Sequence, residues 1–292
     1  ITRLNFNLTY DKTDIDIGTL PAREIYDFVA AEGNVFETLS LGFTWQRVTL
    51  NRGLFPTDGS STSFTLTSTI PGSDINYYRA NIRQRFYQPL SSQLVFGFQG
   101  ELGYLDAYGE TDETPFFQNF YAGGPRSLRG FESNTLGPRS TNAPCYEFNY
   151  DDGTCPNLID TDGDGELDSP YYNPYATTNE YSSRSRYRDP PIGGNIKIEG
   201  SLQLIFRLPF IEDQRSLRSA FFFDFGNVFS DNCKEYQFNC YKPSIDDLRY
   251  SYGVGVTWIT GFGPMSLAIA KPTNAGPQER TEEFQFTVGN VF

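Results

Sequence analysis

The terminal segment alternates large apolar residues with small or polar ones. Phe284, Phe286, Val288 and Phe292 fall on one face, and Gln285, Thr287, Gly289 and Val291 fall on the other. Side chains of an extended chain alternate between faces, so this is the pattern of a strand with unlike surroundings on its two sides. Nine further segments read the same way. Together they predict an all-β fold, a transmembrane antiparallel β-barrel of about ten strands. Lipid would lie on the apolar side and a wet lumen on the polar side.

The alternation is sharpest where both faces are distinctive. Leu4, Phe6, Leu8 and Tyr10 alternate with Asn5, Asn7 and Thr9, and Leu39, Leu41, Phe43 and Trp45 with Ser40, Gly42, Thr44 and Gln46. A Thr-rich third strand carries Phe64 and Leu66, and a fourth sets Tyr78, Ala80, Ile82 and Phe86 against a basic row of Arg79, Arg83 and Arg85. In the fifth, Leu94, Phe96, Phe98, Leu102 and Tyr104 oppose Gln93, Gln99 and Glu101; Glu101 is placed to pair with the basic row. The sixth opposes Ile196, Ile198, Leu202 and Leu204 to Lys197, Glu199, Ser201 and Gln203. Strands at 220–229, 250–258, 265–269 and 283–292 complete the set, with Asp224 set among phenylalanines. Pro21 and the run Ala22–Ala31, closed by Gly33, predict one short helix. Short and long connections alternate, which in bacterial barrels separates periplasmic turns from outer loops. That predicts an outer-membrane location with the C-terminus in the periplasm.

Composition narrows the alternatives. No run approaches the roughly 18 apolar residues of a spanning helix, and mean hydropathy is −0.46. Aromatic residues reach 16%, a content that suits a lipid-facing coat and interfacial girdles. The net charge of −13 argues against nucleic acid as a partner. Histidine is absent, which removes the commonest general base and metal ligand. No hydrolase triad or His-zinc site can be built, so an enzyme is not expected. The four cysteines form two close pairs, Cys145/Cys155 and Cys233/Cys240. Two disulfides in an oxidising compartment are one reading, and a four-Cys zinc site is the other. Ile1 opens directly on a strand with no signal peptide, the expectation for a mature or truncated polypeptide. A soluble β-sandwich, with all apolar faces in one shared core, is the structural alternative.

Residues 106–194 form a long loop without a clear strand. Loops of this length are functional or disordered, and the aromatic and glycine content of Asn119-Phe120-Tyr121-Ala122-Gly123-Gly124 argues against disorder. Arg129 offers a planar fork of donors. The expectation is a loop folded back into the lumen, with Arg129 on inward carboxylates, chiefly Asp224, and Glu199 or Glu101 as further partners. A solvated loop arginine is the competing reading. Asp160, Asp162, Asp164 and Asp168, with Gly165 in the turn, have the spacing that opens an EF-hand calcium loop, but Tyr171 stands where a bidentate Glu is expected. The run therefore reads either as a calcium site or as an acidic solvated loop; no cofactor is required otherwise.

Leu128-Arg129-Gly130-Phe131 resembles the Val-Arg-Gly-Phe/Tyr loop motif of the outer-membrane insertase superfamily. Asn119–Gly124, Ser133-Asn134-Thr135-Leu136-Gly137-Pro138, Arg52–Gly59, Ile70–Asp74, Phe223-Asp224-Phe225-Gly226 and Phe284-Gln285-Phe286 extend the likeness in order along most of the chain. The resemblance implies a 16-stranded barrel preceded by polypeptide-transport-associated (POTRA) domains. Residues 1–292 would be a partial barrel domain, its C-terminal ten strands, without the POTRA domains and first strands. It implies that Arg129 meets acidic residues of the barrel wall. Asp224 occupies one such position, and Gln203 departs from the other, where Glu199 on the same face could stand in. It also implies a core subunit of the outer-membrane assembly machinery, folding and inserting β-barrel proteins through a lateral gate. Phe284, Gln285, Phe286, Val288, Gly289 and Phe292 would form that gate and the C-terminal signal. The implied partners are unfolded outer-membrane protein precursors, lipoprotein subunits of the assembly complex and the bilayer. A two-partner-type polypeptide secretion pore is the alternative within the same superfamily.

Overall fold

The structure, a computed structural model, describes residues 1–18, 21–143, 149, 151, 153–154, 190–208, 211, 216–237, 240–261, 263–276 and 278–289. The chain runs β1 (Thr2–Asp14), α1 (Arg23–Glu32), β2 (Val35–Val48), β3 (Gly59–Thr69), β4 (Tyr77–Pro89) and β5 (Leu94–Ala107). It continues with β6 (Gly130–Phe131), β7 (Ile196–Phe206), β8 (Leu217–Phe229), β9 (Arg249–Thr260), β10 (Gly263–Thr273), β11 (Thr281–Glu282) and β12 (Phe284–Val288). Ten of these make one antiparallel sheet in the order β1-β2-β3-β4-β5-β7-β8-β9-β10-β12, a meander with β1 and β12 at its edges. The short β6 and β11 pair separately.

Register follows the alternation. Leu4, Phe6 and Leu8 lie opposite Trp45, Phe43 and Leu41, so like faces add across the β1–β2 pair. The apolar face is the exposed one: Phe6 is 72% exposed and Phe284 58%, and Phe221, Tyr252 and Trp258 join them. The opposite face buries polar side chains, among them Thr38, Gln203, Asp224, Ser251, Thr257, Ser266 and Gln285. A soluble protein does the reverse. The ten strands make one sheet, not the two packed layers that a sandwich needs. Among the described residues no helix is long and apolar enough to cross a membrane.

The apolar core lies on the polar side of the sheet, between the wall and the long loop. Leu128, Phe131, Leu136 and Phe120 of the loop pack with Phe36, Tyr77, Leu105 and Val228 of the strands and with Phe28 of α1. The helix begins after Ala22 and ends at Gly33, whose N–H closes on Val29 O at 2.9 Å. The last strand is expected over 283–292; among the described residues β12 covers Phe284–Val288, and Gly289, at φ +86°, still donates its N–H to Pro264 O at 2.8 Å. Phe292 lies outside the described residues.

Candidate functional site

Asp224 is on the inner face of β8 because Phe222, Asp224, Gly226 and Val228 share that face while Phe221 and Phe223 point out. Its neighbours in register are Ser201 of β7 and Ser251 of β9. Arg129 reaches it from the loop. Nε donates to Oδ2 and Nη2 to Oδ1, each at 2.7 Å, and the Arg129 backbone N–H adds a third bond to Oδ2 at 3.2 Å. Nη2 also donates to Ser201 Oγ at 3.0 Å. The guanidinium carbon stands 3.5 Å from the centre of the Phe222 ring. That ring has room because residue 253 is glycine; a Cβ there would sit 2.7 Å from it. The pair is almost fully desolvated, with side-chain exposures of 7% and 0%. Such burial is tolerated when both oxygens are satisfied bidentately, as they are here.

The next two residues of the motif reach the terminal strand. Gln285 of β12 is 1% exposed. Its Oε1 accepts the Gly130 N–H at 3.3 Å, and its Nε2 donates to Phe131 O at 2.7 Å. Gly130 holds φ +88°, and a Cβ there would lie 3.1 Å from Ala270 of β10, so only glycine passes comfortably between loop and wall. Phe131 and Gly130 pair with Thr281 and Glu282, and Glu132 N–H continues this to Arg280 O at 2.9 Å. Leu128 and Phe131 are fully buried beside the polar contacts.

The remaining expected partners do other things. Glu199 takes a hydrogen bond from Ser127 Oγ and an ion pair from Lys197 at 3.0 Å. It meets the loop through serine, because β7 places it beside Gly226, two residues along β8 from Asp224. Glu101 is paired with Arg83 at 3.1 Å, with Asn81 at 2.7 Å and with Lys197 at 3.7 Å, a network of the wall itself. Gln203 joins Arg218 and Ser201 Oγ, each at 3.3 Å. It adjoins the arginine site through that shared serine and through Phe222, its register partner on β8. Arg79 turns from the basic row to lie 4.2 Å over the Phe120 ring.

Two buried features escaped the sequence reading. Arg249 of β9 and Glu279 form a second desolvated pair at 2.7 Å, with exposures of 7% and 2%. Arg139 donates to Gln278 O at 2.9 Å, binding the long loop to the same segment. Pairs 30 and 139 residues apart have no local signature. Farther out, the Cys233–Cys240 disulfide closes a loop whose Tyr236 hydroxyl donates to Asp27 of α1 at 2.7 Å. Lys234 pairs with Glu113 there. Burial first, then the Asp27 contact, pushes the Tyr236 hydroxyl above the ordinary tyrosine range. Cys145, Cys155, Asp160, Asp162, Asp164 and Asp168 lie outside the described residues. Among the described residues no cluster of three or more carboxylate, thiolate or imidazole groups is placed to hold a metal.

An antiparallel meander, apolar outside and filled by a docked loop, defines a β-barrel membrane protein. The sequence matches the Omp85 superfamily domain across residues 1–292, and the chain belongs to that superfamily. It is 30% identical over 314 residues to the outer membrane protein assembly factor BamA of Neisseria meningitidis serogroup B, covering 99% of this chain and 34% of that protein. Its fold is similar to the crystal structure of BamA from Haemophilus ducreyi lacking POTRA domains 1–3. The TM-score is 0.72 at 28% identity, over 98% of this chain and 50% of that one. The chain thus spans about a third and a half, respectively, of the relatives it matches.

Proposed function

We propose that this chain is barrel wall of a core subunit of the outer-membrane protein assembly machinery, which folds and inserts β-barrel proteins into the outer membrane. The observation that carries the reading is the terminal strand. Among the described residues β12 pairs with β10 over Met265–Ile269 with Val288–Phe284, flanked by backbone bonds from Gly289 N–H to Pro264 O and from Ala270 N–H to Glu283 O, whereas β9 and β10 match along the whole of Gly263–Thr273. A short, weakly paired edge at the end of a sheet is a template for an incoming strand. No bond in that step is made or broken covalently, so no catalytic residue is needed. The incoming strand gains main-chain hydrogen bonds that lipid cannot supply.

In this reading Phe284, Phe286 and Val288, which face outward, meet the bilayer, and the loop motif holds the wall while the edge is free. The C-terminus lies in the periplasm. Unfolded outer-membrane precursors are the substrates, and lipoprotein subunits join mainly through POTRA domains of the whole protein. The likeness to an assembly factor supports insertion and does not favour the secretion-pore alternative. Single cysteines at Thr287 and Val288 of the whole protein, combined with a stalled precursor carrying cysteines in its last strand, test the gate. Crosslinks in one fixed antiparallel register are expected. Crosslinks absent from β12 but present at interior strands refute it.

A further inference from the structure

Three consecutive loop residues grip two different strands. Arg129 is fixed to Asp224 of β8 through both side chain and backbone. Gly130 and Phe131 are fixed to Gln285 of β12, and also to Thr281 and Glu282 just before it. The Gln285 amide acts as a neighbouring peptide would: its carbonyl takes one backbone N–H and its NH2 gives to one backbone carbonyl. With both groups used inside a dry site, displacement of either partner strands a buried polar group, which is costly. Among the described residues the ladder from β12 to β10 is five pairs long, with one flanking backbone bond at each end.

We infer that Gln285 is a positioning residue that couples the seating of the long loop to the pairing of the terminal strand, so that β12 leaves the seam only as the 129–131 tip leaves its seat. The coupling is reciprocal by necessity: whatever loosens the loop loosens β12, and by the same factor. Arg129 makes this testable, because its charged contacts run to β8 and Ser201 of β7. A residue that merely fills space beside β12 would not transmit the loss of an arginine anchored on β8. The inference rests on β12 being the gate for its use in insertion, but the coupling itself can be measured without any assembly reaction.

The test is hydrogen exchange on the whole protein in lipid nanodiscs, comparing the parent with Gln285→Met, which keeps the volume and loses the amide, and with Arg129→Ala. Both variants are expected to speed exchange in 130–132 and in 284–288 together, Gln285→Met by about tenfold or more for the loss of its two hydrogen bonds, and Arg129→Ala by roughly a hundredfold or more for the loss of a buried ion pair. Exchange in β2 to β5 stays unchanged, which also shows that the variants fold. A Gln285→Met effect confined to β12, or an Arg129→Ala effect confined to the loop, overturns the coupling. Failure of the precursor crosslinks with coupled exchange intact would instead remove the gate reading and leave this one standing.

Discussion

Arg129→Ala leaves the Asp224 carboxylate buried with no exposure, beside Phe222 and Ser251 and without its bidentate donor. Removing one member of a buried pair costs about 3–5 kcal/mol, because the other charge stays desolvated and unpaired. Ion pairs such as Arg83–Glu101, whose arginine side chain is 62% exposed, are worth roughly 0–1 kcal/mol by contrast. At about 1.4 kcal/mol per tenfold, the undocked population of the loop should rise roughly a hundredfold to several-thousandfold. Trypsin reads that population by cutting after Arg126. The bonds from Gly124 N–H to Leu128 O and from Ser127 N–H to Gly124 O hold that backbone in a tight turn while the loop is seated. Asp224→Ala should have a comparable effect, since it strands a guanidinium. The double variant Arg129→Ala/Asp224→Ala removes both charges and should be cut little faster than either single one. Rates that multiply in the double variant would refute the account of the two residues as one unit.

The contact between the 230–247 loop and α1 should loosen in alkali. The Tyr236 hydroxyl is pushed up by burial and by Asp27, so the folded form keeps a proton that the unfolded form loses near the ordinary value of about 10. The stabilisation is complete below that pH and is lost as pH rises past it. Proteolysis of the 230–247 loop should accelerate above about pH 10, and Tyr236→Phe should flatten the dependence. Leu102, 53% exposed in the middle of β5, should resist charge: Leu102→Arg is expected to cost up to about 2–4 kcal/mol in urea unfolding from bilayers, while Gln99→Arg on the opposite face costs little.

Most of the sheet was legible because a period of two leaves no other reading once both faces are distinctive. Phe221 and Phe223 point out and Phe222 and Asp224 point in, as strict alternation demands. The helix was legible from Pro21 and Gly33, and its observed span, Arg23–Glu32, is one residue from the expected Ala22–Ala31. The wall contacts of the loop were legible only in part. Arg129 announced a carboxylate partner through its chemistry, but three lumen-facing acids were available, and register rather than charge decides between them. Glu199 and Glu101 are claimed by Lys197, Arg83 and Ser127, which leaves Asp224 beside the serine of β7. Gln285 read as one more polar residue of an alternating strand. Its grip on Gly130 and Phe131 depends on a loop path 155 and 154 residues away in the chain. The Arg249–Glu279 pair was invisible for the same reason, since burial of charge is a tertiary property.

Hydrocarbon bathes one face of these strands, while the other encloses a polar interior occupied by the loop. Spin labels placed singly along β9 of the protein in lipid bilayers test it most directly, through their accessibility to oxygen and to a water-soluble nickel chelate. Labels at Tyr252, Val254, Val256 and Trp258, whose side chains point out, should be relaxed by oxygen, and labels at Ser251 and Thr257, which are buried, should be shielded from it, with a period of two. Uniform relaxation by the nickel chelate along the outward positions would contradict the account.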